Sequence, residues 1–143
     1  MHTGCEWIID ASDCLAERLQ NGEVLRATAA AIISDLQLHV VGEPHWHQFP
    51  APGGWTGLYL LSESHLTVHT FPERGIASWN LYCCRPRPDW NWSEQLAARL
   101  GARRVEIRRC PRPQVTSTPP FQPTTSAARE NSAAPGNCSE VRR

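Results

Sequence analysis

The chain has no excess of charge of either sign and no long apolar run. Fourteen Lys and Arg balance fourteen Asp and Glu, so the summed charge supplies no field that would gather nucleic acid or an anionic membrane. No apolar segment approaches the roughly 20 residues of a membrane span, and residues 1–10 lack the basic and apolar regions of an export signal. We therefore expect a cytoplasmic protein that binds neither nucleic acid nor membrane.

Disulfides and metal clusters are also not expected. Six cysteines would permit a disulfide framework in an exported domain, but no export signal is visible, and Cys83 and Cys84 are adjacent. Free thiols are the better interpretation. His45 and His47 lie close together, yet no C-x2-C motif with a matching second pair accompanies them, so no metal is expected.

Composition divides the chain near Cys110. Prolines recur beyond this point among Ser, Thr, Ala and Gln, with few apolar residues. Such a segment buries too little surface to offset the entropy lost on ordering. We predict one domain at residues 1–110, followed by a disordered Pro/Ser/Thr-rich tail at residues 111–143.

Hydrophobic periodicity predicts an α+β domain. Apolar residues repeat with helical spacing from Leu25 to Leu36, and short β-type runs follow in quick succession. Asn91 and Glu94 resemble a capping box before a helix that ends at Gly101. The predicted order β-α-α-β-β-β-β-α-β favours a two-layer sandwich, a mostly antiparallel sheet with helices on one face. Strands are expected at Thr3–Asp10, within Leu38–Phe49, and at Thr56–Ser62, His65–Phe71, Ile76–Cys84 and Arg103–Arg109, and helices at residues 14–20, 23–37 and after Asn91.

The segment from Leu60 to Glu73 carries the most chemistry. It combines an acyl donor at Glu63, a hydroxyl at Ser64 and an imidazole at His69. Strand alternation places Ser64 and His69 on opposite faces, so the two cooperate directly only if Ser64 lies in a turn or a distorted strand start. Taken alone, the pattern is also typical of polar residues alternating with Leu and Val on a surface strand.

The run Ser62-Glu-Ser-His-Leu-Thr-Val-His-Thr-Phe-Pro-Glu73 closely resembles the hallmark segment of the bacterial and archaeal S-adenosylmethionine decarboxylases. That segment reads E-S-H-(hydrophobic)-(S/T)-(hydrophobic)-H-T-W-P-E. The likeness extends upstream to Phe49 and Thr56-Gly57 and, more faintly, to Gly4. It thus covers nearly the whole predicted domain.

This resemblance implies a self-cleaving proenzyme. The Ser64 hydroxyl would attack the Glu63 carbonyl, and β-elimination would break the resulting ester. The products would be a β chain of residues 1–63 and an α chain of residues 64–143. Ser64 would become a pyruvoyl group that forms a Schiff base with the substrate amine and acts as an electron sink. Pyridoxal phosphate would not be needed, and a Gly-rich phosphate loop is indeed not found. The resemblance also implies a homodimer with active sites near the subunit interface.

Individual roles follow from the same likeness. His69 corresponds to a histidine that accepts a proton during processing, a role suited to imidazole. Cys84 corresponds to the cysteine that protonates the decarboxylated carbon, although its neighbour Cys83 leaves open whether the role is shared. Thr56 corresponds to a serine that supports processing.

Substrate contacts are expected from Phe49 and Trp55, which lie near residues that pack on adenine, and from Glu73. The chain departs from the family where V-D-(L/V)-F-(T)-C-G is replaced by Trp79-Asn-Leu-Tyr-Cys-Cys-Arg85, and where Gly-(K/R)-His is replaced by Gly4-Cys-Glu6. Because these strands could line the pocket, a pyruvoyl-dependent ornithine or arginine decarboxylase is an alternative. Glu6 would then bind the second cationic group of the substrate.

A third alternative is a relative without catalytic activity that retains the fold as a binding or regulatory subunit. Intact Ser64, His69 and Cys84 argue against it. The first choice remains an S-adenosylmethionine decarboxylase that supplies aminopropyl groups for spermidine synthesis.

Overall fold

A computed structural model describes residues 4–112 of the chain. The predicted disordered tail lies outside the described residues, apart from its first two positions. The strands are β1 Cys5–Ser12, β2 His45–Gln48, β3 Trp55–Leu61, β4 Ser64–Phe71, β5 Ile76–Cys83 and β6 Arg104–Pro111. The helices are α1 Ala16–Leu19, α2 Gly22–Asp35 and α3 Trp92–Leu100, and a 3-10 turn spans Pro72–Arg74.

The six strands form one sheet in the order β2-β3-β4-β5-β1-β6. Every neighbouring pair is antiparallel. Alternate residues of β1, such as Trp7 and Ile9, enter one core together with Leu25, Ile32 and Leu96 from the helices. The predicted α+β sandwich, with helices on one face of an antiparallel sheet, is therefore confirmed. We call the helix-covered side the inner face and the opposite side the outer face.

The two long helices differ in how they begin. In α2 the side chain of Asn21 accepts hydrogen bonds from the backbone N–H groups of Glu23 and Val24, which caps the helix and sets its start at Gly22. In α3 the predicted capping box is wrong, because Asn91 caps no backbone group and its amide bonds the Glu94 side chain instead. Gly101 ends α3 in the left-handed conformation, as predicted.

Most strand boundaries differ from the prediction by one or two residues, and two differences have a clear physical reason. Within the segment predicted as extended, 38–49, only His45–Gln48 forms a strand, with an isolated bridge between Val40 and Leu61. The last strand continues to Pro111, into the predicted tail. Proline is tolerated there because β6 is an edge strand, and Pro111 pairs with Cys5 without a backbone N–H to donate.

None of the helices within residues 4–112 is long and apolar enough to cross a membrane.

Candidate active site

Ser64 follows directly after a tight turn between two strands. Leu61 pairs with Ser64, so residues Ser62 and Glu63 alone form the hairpin loop from β3 to β4. Ser64 is half-buried at the first position of β4 and faces inward like Leu66. Its hydroxyl donates to the Cys83 sulfur at 3.8 Å. The structure thus places Ser64 at the start of a strand, with Glu63 in the turn before it.

Glu63 is held at both its carbonyl and its carboxylate. The carbonyl oxygen accepts a hydrogen bond from the Cys84 backbone N–H at 3.2 Å. The carboxylate forms ion pairs with Arg85 at 3.0 Å and Arg87 at 3.2 Å. The two arginines were not among the predicted site residues, although Arg85 stands where the family pattern has Gly. Both sides of the Glu63–Ser64 bond are therefore anchored to β5 and the residues that follow it.

The two adjacent thiols lie on opposite faces of the sheet. Cys83 is buried on the inner face beside Ser64, and Cys84 is exposed. Burial raises the pKa of the Cys83 thiol, although the Ser64 hydroxyl and the nearby Arg87 act in the opposite direction. Cys83 therefore remains a neutral thiol at physiological pH.

Glu6, His65, Asn80, Tyr82 and Arg112 form a polar cluster on the outer face, which we call the Glu6 cluster. The Asn80 amide donates to Glu6 at 2.8 Å, and Arg112 bonds the other Glu6 oxygen at 2.8 Å. His65 Nε2 lies 3.1 Å from the Asn80 oxygen, and its ring stacks on Tyr82. Both carboxylate oxygens of Glu6 are thus engaged within the chain.

A second group of predicted residues lies at the other end of β4. Thr56 Oγ1 and His69 Nδ1 are 2.8 Å apart across the β3–β4 pair. The two residues border a cavity of about 220 Å³ that is also lined by Phe49, Phe71 and Glu73. The cavity combines aromatic walls with a carboxylate and an imidazole.

Trp55 borders the same cavity, but its indole is engaged elsewhere. Its Nε1 donates to the Gln20 carbonyl at 2.9 Å, and the Arg26 guanidinium lies 5.0 Å from the ring centroid. Trp46 packs against it edge to face, with ring centroids 6.2 Å apart. These contacts place the indole of Trp55 on the inner side of the sheet. Of the two aromatic residues predicted to contact adenine, Phe49 is the more exposed, at 49%.

The two groups are far apart within one copy of the chain. Ser64 and His69 are separated by five residues along β4, which corresponds to roughly 16 Å at the rise of a β-strand. They also point to opposite faces, as alternation predicts. His69 therefore cannot reach the Ser64 hydroxyl of its own chain in this conformation.

Within residues 4–112, no group of three or more His, Cys, Asp or Glu side chains could hold a metal ion. His47, one of the two histidines considered for metal binding, instead contacts the Phe49 ring edge to face at 4.7 Å.

Comparison with known proteins gives one consistent result. Residues 5–113 match the family model described as S-adenosylmethionine decarboxylase. The S-adenosylmethionine decarboxylase proenzyme of Oceanobacillus iheyensis is 36% identical over 108 residues, which cover 73% of this chain and 82% of that protein. The proenzyme of Geobacillus sp. is 37% identical over 101 residues, 69% of this chain and 78% of the relative. The proenzyme of Shouchella clausii is 45% identical over a shorter stretch of 73 residues, 50% of this chain and 56% of the relative.

A solved structure agrees at the level of the fold. The crystal structure of the adenosylmethionine decarboxylase from Aquifex aeolicus superimposes with a TM-score of 0.69 at 24% identity, covering 82% of this chain and 97% of that one. Because the family model spans all six strands and three helices, the likeness is not confined to the Ser62–Glu73 segment. This chain therefore belongs to the S-adenosylmethionine decarboxylase family.

Proposed function

We propose that the chain is a cytoplasmic proenzyme that cuts itself between Glu63 and Ser64, and that the product decarboxylates S-adenosylmethionine for spermidine synthesis. The observation that carries this proposal is the anchored turn: the Ser64 hydroxyl follows a carbonyl that already accepts a hydrogen bond from the Cys84 N–H. Membership of the family supplies the activity that this geometry would serve.

Self-cleavage needs only groups of the chain and water. Ser64 Oγ loses its proton as it bonds to the Glu63 carbonyl carbon, the C–N bond breaks, and the Ser64 nitrogen takes up the proton to become a free amine. In the tetrahedral intermediate of this step the Glu63 carbonyl oxygen carries a negative charge. The Cys84 N–H would donate to that oxygen, as in an oxyanion hole. Loss of the Ser64 Cα proton then breaks the Cβ–O bond and frees the Glu63 carboxylate. Water then displaces the Ser64 nitrogen, which leaves as ammonia. A ketone remains at the former Ser64 Cα.

The surroundings of Ser64 fit such a group. The position is half-buried at a strand start, and the neutral Cys83 thiol introduces no charge beside it. The pyruvoyl group, once formed, would supply an electron sink for the electron pair that remains on the substrate carbon when CO2 departs. The exposed Cys84 side chain would donate a proton to the substrate carbon, which requires the group at position 64 to turn from the inner face towards the outer face after cleavage.

The Glu6 cluster favours S-adenosylmethionine over a basic amino acid. Ornithine and arginine carry a second cationic group that requires a carboxylate partner. Glu6 was the candidate for that partner, but Arg112 and Asn80 occupy both of its oxygens. The aromatic cavity at Phe49 and Phe71, with Glu73 beside it, instead suits an adenine and a sulfonium cation.

A homodimer would bring the Thr56–His69 pair of one subunit close to the Ser64 of the other. We infer that the Thr56–His69 pair of one subunit acts on the Ser64 of the other, because the pair lies about 16 Å from its own Ser64. The apolar side chains exposed on the outer face, including Leu58, Leu60 and Phe71, support association through this surface, which would also require the Ser64 hydroxyl at the strand start to turn to the outer side.

Intact-mass analysis of the purified protein tests self-cleavage. Wild-type protein should give two chains, produced by cleavage of the bond between Glu63 and Ser64. The second chain should have a blocked N-terminus that reacts with carbonyl reagents. Ser64→Ala should remain one chain, and Ser62→Ala in the same turn is the matched control that should still be cut. A single uncut wild-type chain would refute the proposal.

Mixing two inactive variants tests the shared site. Ser64→Ala lacks the hydroxyl, and His69→Ala lacks the imidazole, so each alone should fail to process or do so slowly. In a mixed dimer one site contains both groups, and the His69→Ala chain should then be cut. Cleavage that is no faster after mixing, under conditions where subunits exchange, would contradict the shared site.

S-Adenosylmethionine, ornithine and arginine assayed side by side for CO2 release decide the substrate. Activity on S-adenosylmethionine alone is expected. Release only from a free basic amino acid would overturn this choice while leaving self-cleavage intact.

A further inference from the structure

Arg85 and Arg87 place two positive charges beside a single carboxylate. Arg87 Nη2 lies 3.2 Å from one Glu63 carboxylate oxygen, and Arg85 Nε lies 3.0 Å from the other. The Arg85 side chain is 74% exposed, so solvent screens its charge, whereas the Arg87 side chain is only 20% exposed. The charge that Glu63 leaves unbalanced therefore acts mainly from Arg87.

Arg87 also has a buried donor that the uncut chain does not use. Among the residues that the structure describes, its Nε is buried and has no hydrogen-bond partner. An unpaired buried donor costs free energy, and the cost is greater for a donor on a charged group. Arg87 can therefore bind one more acceptor than the uncut chain gives it.

The segment that carries Arg87 is held in place independently of the Glu63 side chain. Pro86 and Pro88 flank Arg87 and restrict the backbone on both sides. Two residues further on, the buried Trp90 indole donates to the Asp35 carboxylate of α2 at 2.8 Å. The guanidinium therefore stays near the scissile bond when that bond breaks.

The elimination step of self-cleavage creates a new acceptor at Glu63. The Ser64 Cα proton passes to a base, for which the proposed function offers His69 of a second subunit. The C–H electron pair forms the Cα=Cβ bond, and the Cβ–Oγ pair leaves with Oγ, which becomes the second oxygen of a new Glu63 carboxylate. The first oxygen already accepts from the Cys84 N–H at 3.2 Å, and the second needs a donor of its own. This carboxylate forms only one Glu side chain away from the carboxylate that Arg87 already binds.

We propose that Arg87 binds the carboxylate that leaves Ser64 and thereby accelerates the elimination step of self-cleavage. This role deepens the proposed function and rests on it, because it takes the Glu63–Ser64 bond to be the one that is cut. Negative charge grows on the leaving oxygen as the Cβ–O bond breaks, so a guanidinium stabilises the transition state more than the ester. After the step, two carboxylates of Glu63 face two guanidinium groups, and the charges balance.

Trapping of the ester intermediate tests this role. The full chain is made by cell-free translation, and samples taken over time are treated at neutral pH with hydroxylamine, which cleaves an ester but not an ordinary amide. Mass spectrometry then separates α chains that begin with an intact Ser64, which come from the ester, from those with a pyruvoyl end. Wild type should contain little ester, whereas Arg87→Gln should accumulate it because elimination slows roughly tenfold or more.

Two further arginine variants define the effect. Arg87→Lys retains the charge but lacks the Nε donor and the planar fork, so it should accumulate less ester than Arg87→Gln and more than wild type. Arg104→Gln is the matched control, because it removes an arginine from an exposed ion pair with Asp13 and should process as wild type does.

Glu63→Gln separates binding of the leaving group from positioning of the turn. This variant loses both ion pairs but retains both guanidinium groups, so Arg87 remains available to the new carboxylate. Cleavage should slow because the turn is held less firmly, but ester should not accumulate. Equal accumulation in Glu63→Gln and Arg87→Gln would show that Arg87 acts only through the Glu63 side chain, contrary to the proposal.

The outcomes also separate this role from the proposed function. A folded Arg87→Gln chain without ester, whether it is cut at the wild-type rate or not at all, would overturn the role of Arg87, while cleavage of wild type leaves the proposed function standing. If circular dichroism shows that Arg87→Gln does not fold, Arg87→Lys decides by the same criterion. A wild-type chain that is never cut would refute the proposed function itself.

Discussion

Cys83 and Cys84 have different surroundings although they are neighbours in sequence. Strand alternation turns Cys83 inward against Ser64 and leaves Cys84 exposed on the outer face. Cys83 also stands where the family pattern has Thr, another side chain that can accept a hydrogen bond. We therefore propose that Cys83 orients the Ser64 hydroxyl and does not donate the proton.

This assignment predicts how Cys83 variants cleave themselves. Cys83→Thr retains an acceptor for the Ser64 hydroxyl and should process at a rate close to wild type. Cys83→Ala removes the acceptor and should slow processing roughly two- to fivefold, the range expected for one weak neutral hydrogen bond. The measurement is the fraction of cut chain over time on denaturing gels. Equal rates for Cys83→Ala and wild type would show that the 3.8 Å contact has no part in processing.

Residue types alone drew attention to Thr56, Ser64 and His69, but not to the contacts that these residues make. The pairing of Thr56 with His69 follows from register, since the two residues face each other across β3 and β4. Arg87 and Arg112 gave no signal, because their partners Glu63 and Glu6 lie far away in sequence. From the sequence, the Glu6 carboxylate could be free to bind a substrate. The structure shows that Arg112, far away in sequence, already bonds it.

At the scale of elements, the β4–β5 hairpin sets the position of the cavity. Pro72–Arg74 forms a 3-10 turn that carries Glu73, and Gly75 ends it with φ 61°, in the left-handed region. A Cβ atom at Gly75 would also lie 3.1 Å from the Cys14 carbonyl oxygen. The turn is therefore closed by a residue that needs both the backbone freedom and the small size of glycine.

Gly75→Ala should accordingly destabilise the domain by about 2–3 kcal/mol, the sum of about 1–2 kcal/mol for a left-handed side-chain residue and a further cost for the backbone contact. Urea unfolding of the uncut Ser64→Ala chain measures it. Gly42→Ala is the matched control: Gly42 has φ 70°, but nothing lies within 4 Å of the Cβ position. It should show only the conformational cost of about 1–2 kcal/mol. Equal losses would mean that the Cys14 contact relaxes freely.

Element types were predictable because the signals are local. The apolar spacing of α2 and the alternation in β4 each appear within a dozen residues. The ends of the helices and strands were less predictable, because contacts with distant segments of the chain determine them. Pro111 extends β6 only because β1 offers it a pairing partner, and Asn91 fails to cap α3 because its amide bonds Glu94.

At the scale of the whole molecule, the sheet order depends on contacts that a single sequence does not show. β1 lies between β5 and β6, the last two strands in the sequence, so both neighbours of the first strand come from the far end of the domain. This order brings Cys5 and Glu6 beside Cys83 and Tyr82, their register partners. It also places the Thr56–His69 pair and Ser64 at opposite ends of β4, the separation that requires a second copy in our proposal.

The stability of the molecule should fall in alkaline solution, and Cys14 is a specific cause. Burial raises the pKa of the Cys14 thiol from 9.0 to about 11, with a smaller contribution in the same direction from Asp13. Between these values the unfolded chain has lost this proton and the folded chain retains it. Because the unfolded state then binds fewer protons, the free energy of unfolding falls as pH rises.

The contribution of Cys14 is complete below about pH 9 and is lost as pH rises to about 11, on the order of 2–3 kcal/mol in all. Cys14→Ala in the Ser64→Ala chain should therefore show a shallower loss of stability over this window, measured by urea unfolding at a series of pH values. The slope decides the result, since the substitution also removes packing at every pH. Cys110→Ala alters an exposed thiol and should keep the wild-type slope. A Cys14→Ala slope as steep as that of Cys110→Ala would place the alkaline loss elsewhere, at the buried Cys83 thiol or the Tyr59 hydroxyl, whose pKa values burial also raises.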